Sequence, residues 1–345
     1  MLFRRLFHHT SIVSFHSSKV MTANQSLLST LRKKTGYAIT NCKKALEMNN
    51  NDIEKAETWL NSQAQAQGWA KAAKLQSRST PNGLVGIRLD TKCAVMVEVN
   101  CETDFVSKNE KFQTLVAQIT ETCFKKSLAT VSALDTTQES SLVKLGFDSE
   151  QLGSLQLNDS KNSKLSDLLA LNIGLIGENM AVRRAAALCA TSSNIKFSSC
   201  THPQQVLGES FLGKYAAVFA YEECPPSVET PELSEIIDLE KLPKQLCQHI
   251  IGMNPRTIEK VNKLPEEELA EKPPSDEKAE QSSSEEKTEK LPSEEKKEKS
   301  SSDEESALYH QEFLAYPEFT VREVMSHVGW DIKGFLRFEC GESLE

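Results

Sequence analysis

An acidic and an aromatic side chain, Asp104 and Phe105, stand side by side in a polar stretch of the chain. A carboxylate next to a large ring suits binding better than covalent chemistry, because the acid can make a polar contact while the ring supplies apolar area. Two interpretations of Phe105 remain open. The ring is either presented to a partner, or it packs back into the core as a staple at the start of a helix.

The elements around this pair predict a turn between a strand and a helix. Residues Cys93–Val99 are β-prone and apolar on both faces, which predicts a strand covered on each side. Ser107 and Glu110 have the spacing of a capping box, and helical apolar spacing begins at Phe112. The candidate binding residues Thr103–Val106 should therefore lie in a presented loop, where functional groups concentrate.

The other chemistry-bearing residues predict no enzyme, catalytic residue, metal or cofactor. The chain contains no nucleophile elbow, HExxH pair or complete phosphate-binding loop. Gly208–Tyr215 approaches such a loop, but Tyr215 replaces the magnesium-binding hydroxyl, so we expect a hairpin turn. Nine cysteines without a CxxC pair indicate small apolar residues in a reducing compartment, without disulfides. The pairs Cys200–His202 and Cys247–His249 do not match a standard zinc spacing.

The net charge of the chain is concentrated in one segment. Residues 264–305 hold 16 acids and 7 lysines, which accounts for the full net charge of -9 over 345 residues. This composition predicts a disordered acidic insertion, because it offers almost no apolar surface to bury. The remainder carries no global basic field that would favour direct nucleic acid binding, and no apolar run long enough to span a membrane.

The amino terminus has the composition of a mitochondrial targeting sequence. The first 46 residues contain no Asp or Glu, and residues 1–19 combine Arg4, Arg5 and Lys19 with hydroxyl and apolar side chains. We therefore predict a transit peptide over residues 1–25 and a location in the mitochondrial matrix.

Residues 26–66 predict a compact module of three short helices, followed by a linker over 67–82 that extends a helix. Its exposed face gathers five cations, Arg32, Lys33, Lys34, Lys43 and Lys44. Two functions other than the one favoured below stay open for this module. It could serve a scaffold that binds ubiquitin or nascent chains, or it could serve an RNA-binding factor whose affinity falls steeply with salt.

Beyond residue 82, the pattern alternates strands and helices. Leu84–Leu89 and Cys93–Val99 predict a hairpin, and Leu165–Ile176 predicts a helix that ends at Gly177. Residues 127–141 read as a loose Ser/Thr-rich stretch. Tyr215–Tyr221 predicts a strand, which we expect to pair with residues 181–189 in a second sheet.

Several of these segments resemble the elongation factor Ts family. Val97–Phe112 resembles the family signature, and the Thr-Asp-Phe-Val tetrad of that signature is matched by Thr103, Asp104, Phe105 and Val106. Leu31–Leu46 resembles the amino-terminal motif of the family, and Glu178–Arg184 and Leu246–Pro255 resemble later family segments in the right order.

The resemblance implies an α+β fold, in which a three-helix ubiquitin-associated-like module precedes a core of two α/β subdomains with small antiparallel sheets. The subdomains would span residues 83–160 and 161–345, the second interrupted by residues 264–305. It implies guanine-nucleotide exchange on mitochondrial elongation factor Tu, bound in its GDP and nucleotide-free states. The tetrad would wedge near the magnesium and phosphate site, while Arg32 and Ile39 of the helical module would also contact the partner.

Overall fold

The protein is described by a computed structural model for residues 26–133, 140–157, 163–228, 230–259 and 307–343. The predicted transit peptide and acidic insertion lie outside these described residues. The described residues form two compact units: those within Met1–Thr191, Thr201–Ala216 and Phe338–Glu345 make the first, and those within Ser192–Cys200 and Ala217–Arg337 make the second. This division differs from the predicted boundary between residues 160 and 161.

The amino-terminal module consists of three helices, as expected for an α+β chain of this kind. They are α1 (residues 26–35), α2 (Ile39–Met48) and α3 (Ile53–Leu75). Gly36 makes the turn after α1 with a φ of 72°, and Asp52 caps α3 by accepting a hydrogen bond from Lys55 N–H. Residues 67–75, predicted to belong to a helix-extending linker, are part of α3.

The first unit contains one six-stranded antiparallel sheet with strand order β3-β4-β2-β1-β7-β6. The strands of the chain are β1 (Asn82–Leu89), β2 (Cys93–Cys101), β3 (Leu142–Phe147), β4 (Met180–Ala190), β5 (Ile195–His202), β6 (Gln205–Leu207), β7 (Ser210–Gly213), β8 (Tyr215–Glu223), β9 (Glu312–Phe313), β10 (Tyr316–Thr320) and β11 (Trp330–Glu339). All nine residues of β2 are buried, as its two apolar faces predict.

Four helices complete the first unit around this sheet: α4 (Asp104–Ser107), α5 (Glu110–Ser132), α6 (Ser149–Ser154) and α7 (Leu165–Ile176). The apolar stripe of α5, including Phe112, Leu115 and Ile119, is buried in the same core as the apolar residues of β2. The helix α7 ends at Gly177 with a φ of 89°, as predicted.

Close backbone packing joins α3 to α7. A Cβ added at Gly68 would collide with the carbonyl oxygen of Ala170, and one added at Gly174 would lie 2.7 Å from the carbonyl oxygen of Ala64. Leu171 and Leu175 of α7 also pack against the core of the three-helix module. The three-helix module therefore packs against α7.

The second unit has its own core under the sheet β11-β8-β5 and the small sheet β10-β9. Its helices are α8 (Pro231–Ile236), α9 (Leu242–Met253) and α10 (Val321–Val328), with a 3₁₀ turn at Leu308–His310. Phe219, Phe313 and Leu246 are fully buried in this core. Within the described ranges, no helix has both the length and the apolar character needed to cross a bilayer.

The expectations for one strand pairing, one loop and the cysteines were wrong. The strand β8 lies beside β5 and β11, whereas β4 pairs with β2 and β3, because a strand pattern does not specify its partner. Residues 127–132 continue α5 instead of forming a loose stretch. Cys93 and Cys189, opposite each other on β2 and β4, form a disulfide, with Cα atoms 4.1 Å apart.

The near-match to a phosphate loop is a hairpin, as expected. The strands β6 and β7 pair across Gly208, which adopts a φ of 62°, and Ser210–Gly213 continues as a strand that pairs with β1 instead of opening a helix. A phosphate loop must lead into a helix whose amino terminus faces the phosphates, so this segment has the wrong local structure for that role.

Candidate partner-binding site

The Thr-Asp-Phe-Val tetrad forms a one-turn helix at the end of β2. Thr103 is the N-cap of α4, and its Oγ1 accepts a hydrogen bond from Val106 N–H at 3.4 Å. Asn109 caps the following helix α5 by accepting from Lys111 N–H at 2.9 Å. The predicted capping box of Ser107 and Glu110 is therefore wrong, because Thr103 and Asn109 each cap a separate helix.

Consecutive residues of α4 face opposite environments. The side chain of Phe105 is 80% exposed, which excludes the interpretation as a core-packed staple, whereas Val106 is 7% exposed and lies in the core of the first unit. We predicted all four tetrad residues as partner-binding residues. In the structure Val106 anchors the turn, and Phe105 is the apolar group available on its surface.

Every hydrogen-bonding group of Thr103 is engaged. Its backbone N–H donates to Glu178 Oε2 at 3.1 Å, and its hydroxyl donates to Glu178 Oε1 at 2.8 Å. Its carbonyl oxygen accepts from the Cys101 thiol at 3.2 Å and from Ser107 N–H at 3.3 Å. Burial raises the pKa of Cys101 to about 12, so the thiol remains a protonated donor. These bonds fix the backbone immediately before Asp104.

A second carboxylate bridges the same two segments in the opposite direction. Glu102 Oε1 accepts from Asn179 N–H at 2.7 Å, and Glu102 Oε2 pairs with Arg78 at 3.3 Å. Asn179 in turn donates through its side chain to Arg78 O at 3.0 Å. The end of β2 and the start of β4 are therefore tied together by reciprocal acid-to-backbone bonds.

Asp104 is exposed and paired within its own turn. Lys108 donates to Asp104 Oδ2 at 2.9 Å, four residues along the chain. This hydrogen bond from Lys108 lowers the pKa of the Asp104 carboxyl below its usual value. The carboxylate is consequently ionised at neutral pH and remains accessible beside Phe105.

The two predicted residues of the helical module, Arg32 and Ile39, are also exposed. Ile39 opens α2 with 48% of its side chain exposed, and the Arg32 carbonyl accepts from Gly36 N–H at 2.7 Å. A Cβ added at Gly36 would collide with Lys111 Nζ, so the tip of this long side chain from α5 reaches the Gly36 turn. Arg32 and Ile39 thus lie on the surface of the module, and the tip of one side chain from α5 reaches the turn between them.

A buried acid, Glu98, anchors the strand that leads into the tetrad. Its side chain is 0% exposed and accepts from Arg183 at 3.2 Å, from Arg184 at 2.7 Å and from Gly341 N–H at 2.8 Å. A buried carboxylate is tolerated only when it is paired and hydrogen-bonded. Glu98 is thus satisfied by β4 and the carboxy-terminal segment, and it serves the fold.

The described residues offer no clear catalytic or metal-binding arrangement. No cluster of three His, Cys, Asp or Glu side chains in the described ranges could hold a metal ion. Ser234 Oγ lies 3.3 Å from His327 Nε2, but Thr230 N–H donates to His327 Nδ1 at 3.1 Å. Since Nδ1 is the acceptor, Nε2 carries the proton and cannot take one from Ser234.

Sequence patterns did not point to Glu178 as part of this site. The residue stands 75 positions from Thr103, after the glycine that ends α7. The sequence does contain one clue to Glu178. This acid lies between Gly177, which ends a helix, and the apolar residues that begin the next strand, where neither the helical nor the strand pattern requires a charged residue.

Two family models match the chain. The model for the mitochondrial amino-terminal domain of elongation factor Ts matches residues 12–70, and the elongation factor Ts model matches residues 102–342. The second match includes Asp104, Phe105 and Glu178, and it covers parts of both compact units.

Curated proteins similar to this chain are mitochondrial forms of elongation factor Ts. The protein from Aedes aegypti is 38% identical over 94% of this chain and 90% of its own length. The Drosophila melanogaster protein is 36% identical over 99% of this chain and 93% of its own length. The human protein is 34% identical over 96% of this chain and 89% of its own length.

Proposed function

This chain belongs to the elongation factor Ts family, and from that premise we propose that it binds elongation factor Tu in its GDP form and promotes GDP release. The loop of Asp104 and Phe105 enters the nucleotide domain beside the magnesium and phosphate site. A GTPase holds its nucleotide through those two elements, so displacing either weakens GDP binding.

The observation that carries this proposal is the 80% exposure of Phe105 on a turn whose neighbours are fixed. Large exposed apolar groups mark sites of interaction, and aromatic side chains are common anchors of protein interfaces. Val106 is buried on one side of Phe105, and Thr103 is fully hydrogen-bonded on the other. The ring is therefore held ready for insertion, and little additional ordering of the backbone is needed on binding.

Exchange requires a difference in affinity between two states of the partner. The factor must bind nucleotide-free elongation factor Tu more tightly than the GDP form, and by linkage GDP or GTP then expels the factor to the same extent. Phe105 supplies apolar area that is buried only in the displaced state. Asp104 supplies a carboxylate that can exchange its Lys108 partner for a polar group of the displaced segment.

The helical module supplies a second contact in this proposal. Arg32 and Ile39 are exposed on either side of the Gly36 turn, and the end of the Lys111 side chain from α5 reaches that turn. One partner domain could then contact the module and α4 together. Because α3 and α7 pack backbone to backbone, the spacing between the two contacts is maintained by the fold.

Stopped-flow release of fluorescent GDP from mitochondrial elongation factor Tu tests the proposal. We expect the release rate to rise with factor concentration and to saturate, whereas an unrelated protein of similar charge leaves the rate unchanged. A release rate that stays at its spontaneous value at every factor concentration would reject the exchange function. Adding RNA should not compete, as it would if the basic face of the module were an RNA site.

We also propose that the protein acts in the mitochondrial matrix after loss of residues 1–25. The support is the acid-free, arginine-bearing start of the sequence and its mitochondrial relatives. Amino-terminal sequencing of the protein from purified mitochondria should find a start near Ser26. Recovery of Met1 as the only amino terminus would contradict removal of this segment.

A further inference from the structure

We propose that Glu178 is a positioning residue for nucleotide exchange: its carboxylate clamps Thr103 and so fixes the direction in which Phe105 is presented. This inference rests on the exchange function proposed above. Glu178 itself need not touch the partner, because its effect passes through the backbone of the turn.

The clamp is bidentate. One carboxylate oxygen accepts from the Thr103 hydroxyl at 2.8 Å and the other accepts from the Thr103 backbone N–H at 3.1 Å. Hydrogen bonds to an ionised acceptor are stronger than those between neutral groups, and a two-point contact also fixes orientation. The Thr103 backbone is thereby held at a φ of -123° and a ψ of 155°.

Thr103 is the point where the chain changes direction into α4. The same hydroxyl that donates to Glu178 also accepts from Val106 N–H, so it is both the N-cap of α4 and the target of the clamp. Phe105 lies two residues farther on, and its own side chain is too exposed to be oriented by core packing. The direction of Phe105 is therefore set by the hydrogen bonds of Thr103 on one side and by the burial of Val106 on the other.

Glu178, which forms the other end of the clamp, lies directly after a closely packed helix. Glu178 directly follows Gly177, which ends α7 in a left-handed conformation. The helix α7 is pressed against α3 at Gly68 and Gly174, where the backbones leave no space for a Cβ. Through this helix, Glu178 also links the loop of Phe105 to the module that carries Arg32 and Ile39.

The neighbouring acid makes the clamp reciprocal. Glu102 reaches back to Asn179 N–H at 2.7 Å while Glu178 reaches to Thr103 N–H. Each segment thus supplies a carboxylate that accepts from a backbone N–H of the other segment. The two bonds together fix the register of the two segments. Glu178 is the member whose bonds reach the cap of α4.

The test compares Glu178→Ala with the wild type in the GDP-release assay. We expect kcat/KM to fall by about 10-fold to 100-fold, the size expected for losing a hydrogen bond to a charged group. The fall should appear in kcat with little change in KM, as for Phe105→Ala, because presentation matters when the partner segment is displaced. Glu121→Ala is the matched control, since Glu121 is a partly exposed acid that pairs with Arg88 and Lys125.

A double mutant separates positioning from simple structural support. If Glu178 acts through Phe105, Glu178→Ala should lower kcat in the wild type but have almost no effect in a Phe105→Ala background. Equal fold-losses in both backgrounds would overturn the inference, as would full activity of a folded Glu178→Ala protein. If Glu178→Ala does not fold, the pair Thr103→Ser and Thr103→Val decides the same question.

Both threonine variants keep the backbone N–H that donates to Glu178. Thr103→Ser removes only the methyl group, and Thr103→Val replaces only the hydroxyl. Thr103→Ser retains the hydroxyl donor to Glu178 and Thr103→Val loses it, so Thr103→Val should have a kcat about 10-fold lower than that of Thr103→Ser. Equal activity of the two variants would overturn the clamp. A wild-type protein that releases no GDP would instead reject the exchange function, so the two failures remain distinguishable.

Discussion

Phe105 and Val106 show how one helical turn can separate binding from folding. The two residues are adjacent, yet one side chain is 80% exposed and the other is 7% exposed. A 100° rotation per residue places neighbouring side chains of a helix on different faces. The buried residue holds the turn on the core, and the exposed residue is the one that contacts the partner in the proposed function.

We expect Phe105→Ala to reduce exchange without reducing stability. Exposed substitutions usually change the free energy of unfolding by less than about 0.5 kcal/mol. An aromatic anchor at an interface contributes about 2 to 4 kcal/mol, which corresponds to a loss of about 25-fold to 700-fold in kcat/KM for GDP release. Asp104→Ala should have a smaller effect, since exposed charges contribute little unless they are desolvated.

Two further variants serve as controls for Phe105→Ala. Val106→Ala removes a buried side chain of the same turn and, unlike Phe105→Ala, should lower the free energy of unfolding by about 2 kcal/mol. Leu314→Ala removes another exposed apolar side chain and should change neither quantity. A strongly destabilised Phe105→Ala protein with full exchange activity would remove the tetrad from the proposed mechanism.

His249 is a buried neutral histidine that should make stability depend on pH. It is 0% exposed, its Nε2 lies 3.0 Å from Gln311 Oε1, and its Nδ1 accepts from Leu314 N–H at 3.3 Å. Burial lowers its pKa below the ordinary value of 6.5, against a smaller opposing effect of the Gln311 hydrogen bond. The unfolded state therefore takes up a proton at a higher pH than the folded state.

The stabilising contribution of neutral His249 is complete above pH 6.5 and falls as pH drops toward the folded pKa. The loss cannot exceed about 1.4 kcal/mol per pH unit for one proton. Denaturant melts at pH 7.5 and 5.5 should show the wild type losing stability relative to His249→Gln. A constant difference between the two proteins would show that His249 does not titrate in this way.

At the scale of elements, local sequence patterns predicted most of the strands, turns and helices around the site. The strand β2, its hairpin with β1, the helix α7 and the hairpin at Gly208 all follow from short-range signals of periodicity and turn residues. The presented turn at Thr103–Val106 was also predicted, although its cap was assigned to the wrong residue.

Long-range pairing could not be predicted in this way. The partners of β4 and β8, the disulfide between Cys93 and Cys189, and the clamp of Glu178 on Thr103 each join residues that are distant in sequence. Strand character can be recognised from a single segment, but its neighbour depends on how the whole sheet is assembled. The sequence therefore predicted the loop of Asp104 and Phe105 but not the distant residues that hold this loop in place.

The packing of α3 on α7 predicts a large effect from one methyl group. Gly68→Ala would place a Cβ against the backbone of Ala170, which cannot move aside as a flexible side chain could. We expect a loss of about 1 to 3 kcal/mol in the free energy of unfolding, together with faster proteolysis within α3.

Gly153→Ala is the matched control for the helix contact. Gly153 also lies in a helix, but a Cβ there meets no atom within 4 Å. Replacing a helical glycine by alanine without a clash should be neutral or stabilise the protein by up to about 1 kcal/mol. If the two variants have equal stability, the close approach of α3 and α7 is not a property of the folded protein.

At the scale of the whole molecule, the two described flanks of the acidic insertion meet. Thr257 and Ala307 form a parallel bridge, Leu308 N–H donates to Thr257 O at 2.8 Å, and Tyr309 N–H donates to Ile258 O at 3.1 Å. The described residues on the two sides of this segment are therefore hydrogen-bonded to each other. A short connection could close the same gap.

We predict that replacing residues 264–305 with a short Gly-Ser linker leaves both fold and exchange intact. Loop closure changes by only about 0.6 kcal/mol for each twofold change in length, so this shortening should raise the free energy of unfolding by no more than about 2 kcal/mol. A scrambled version of the segment, with unchanged length and composition, is the control and should behave like the wild type. Denaturant melts and GDP-release rates on the three proteins decide the matter: a fall of more than about 2 kcal/mol in the shortened protein would mean that the segment contributes to the folded core.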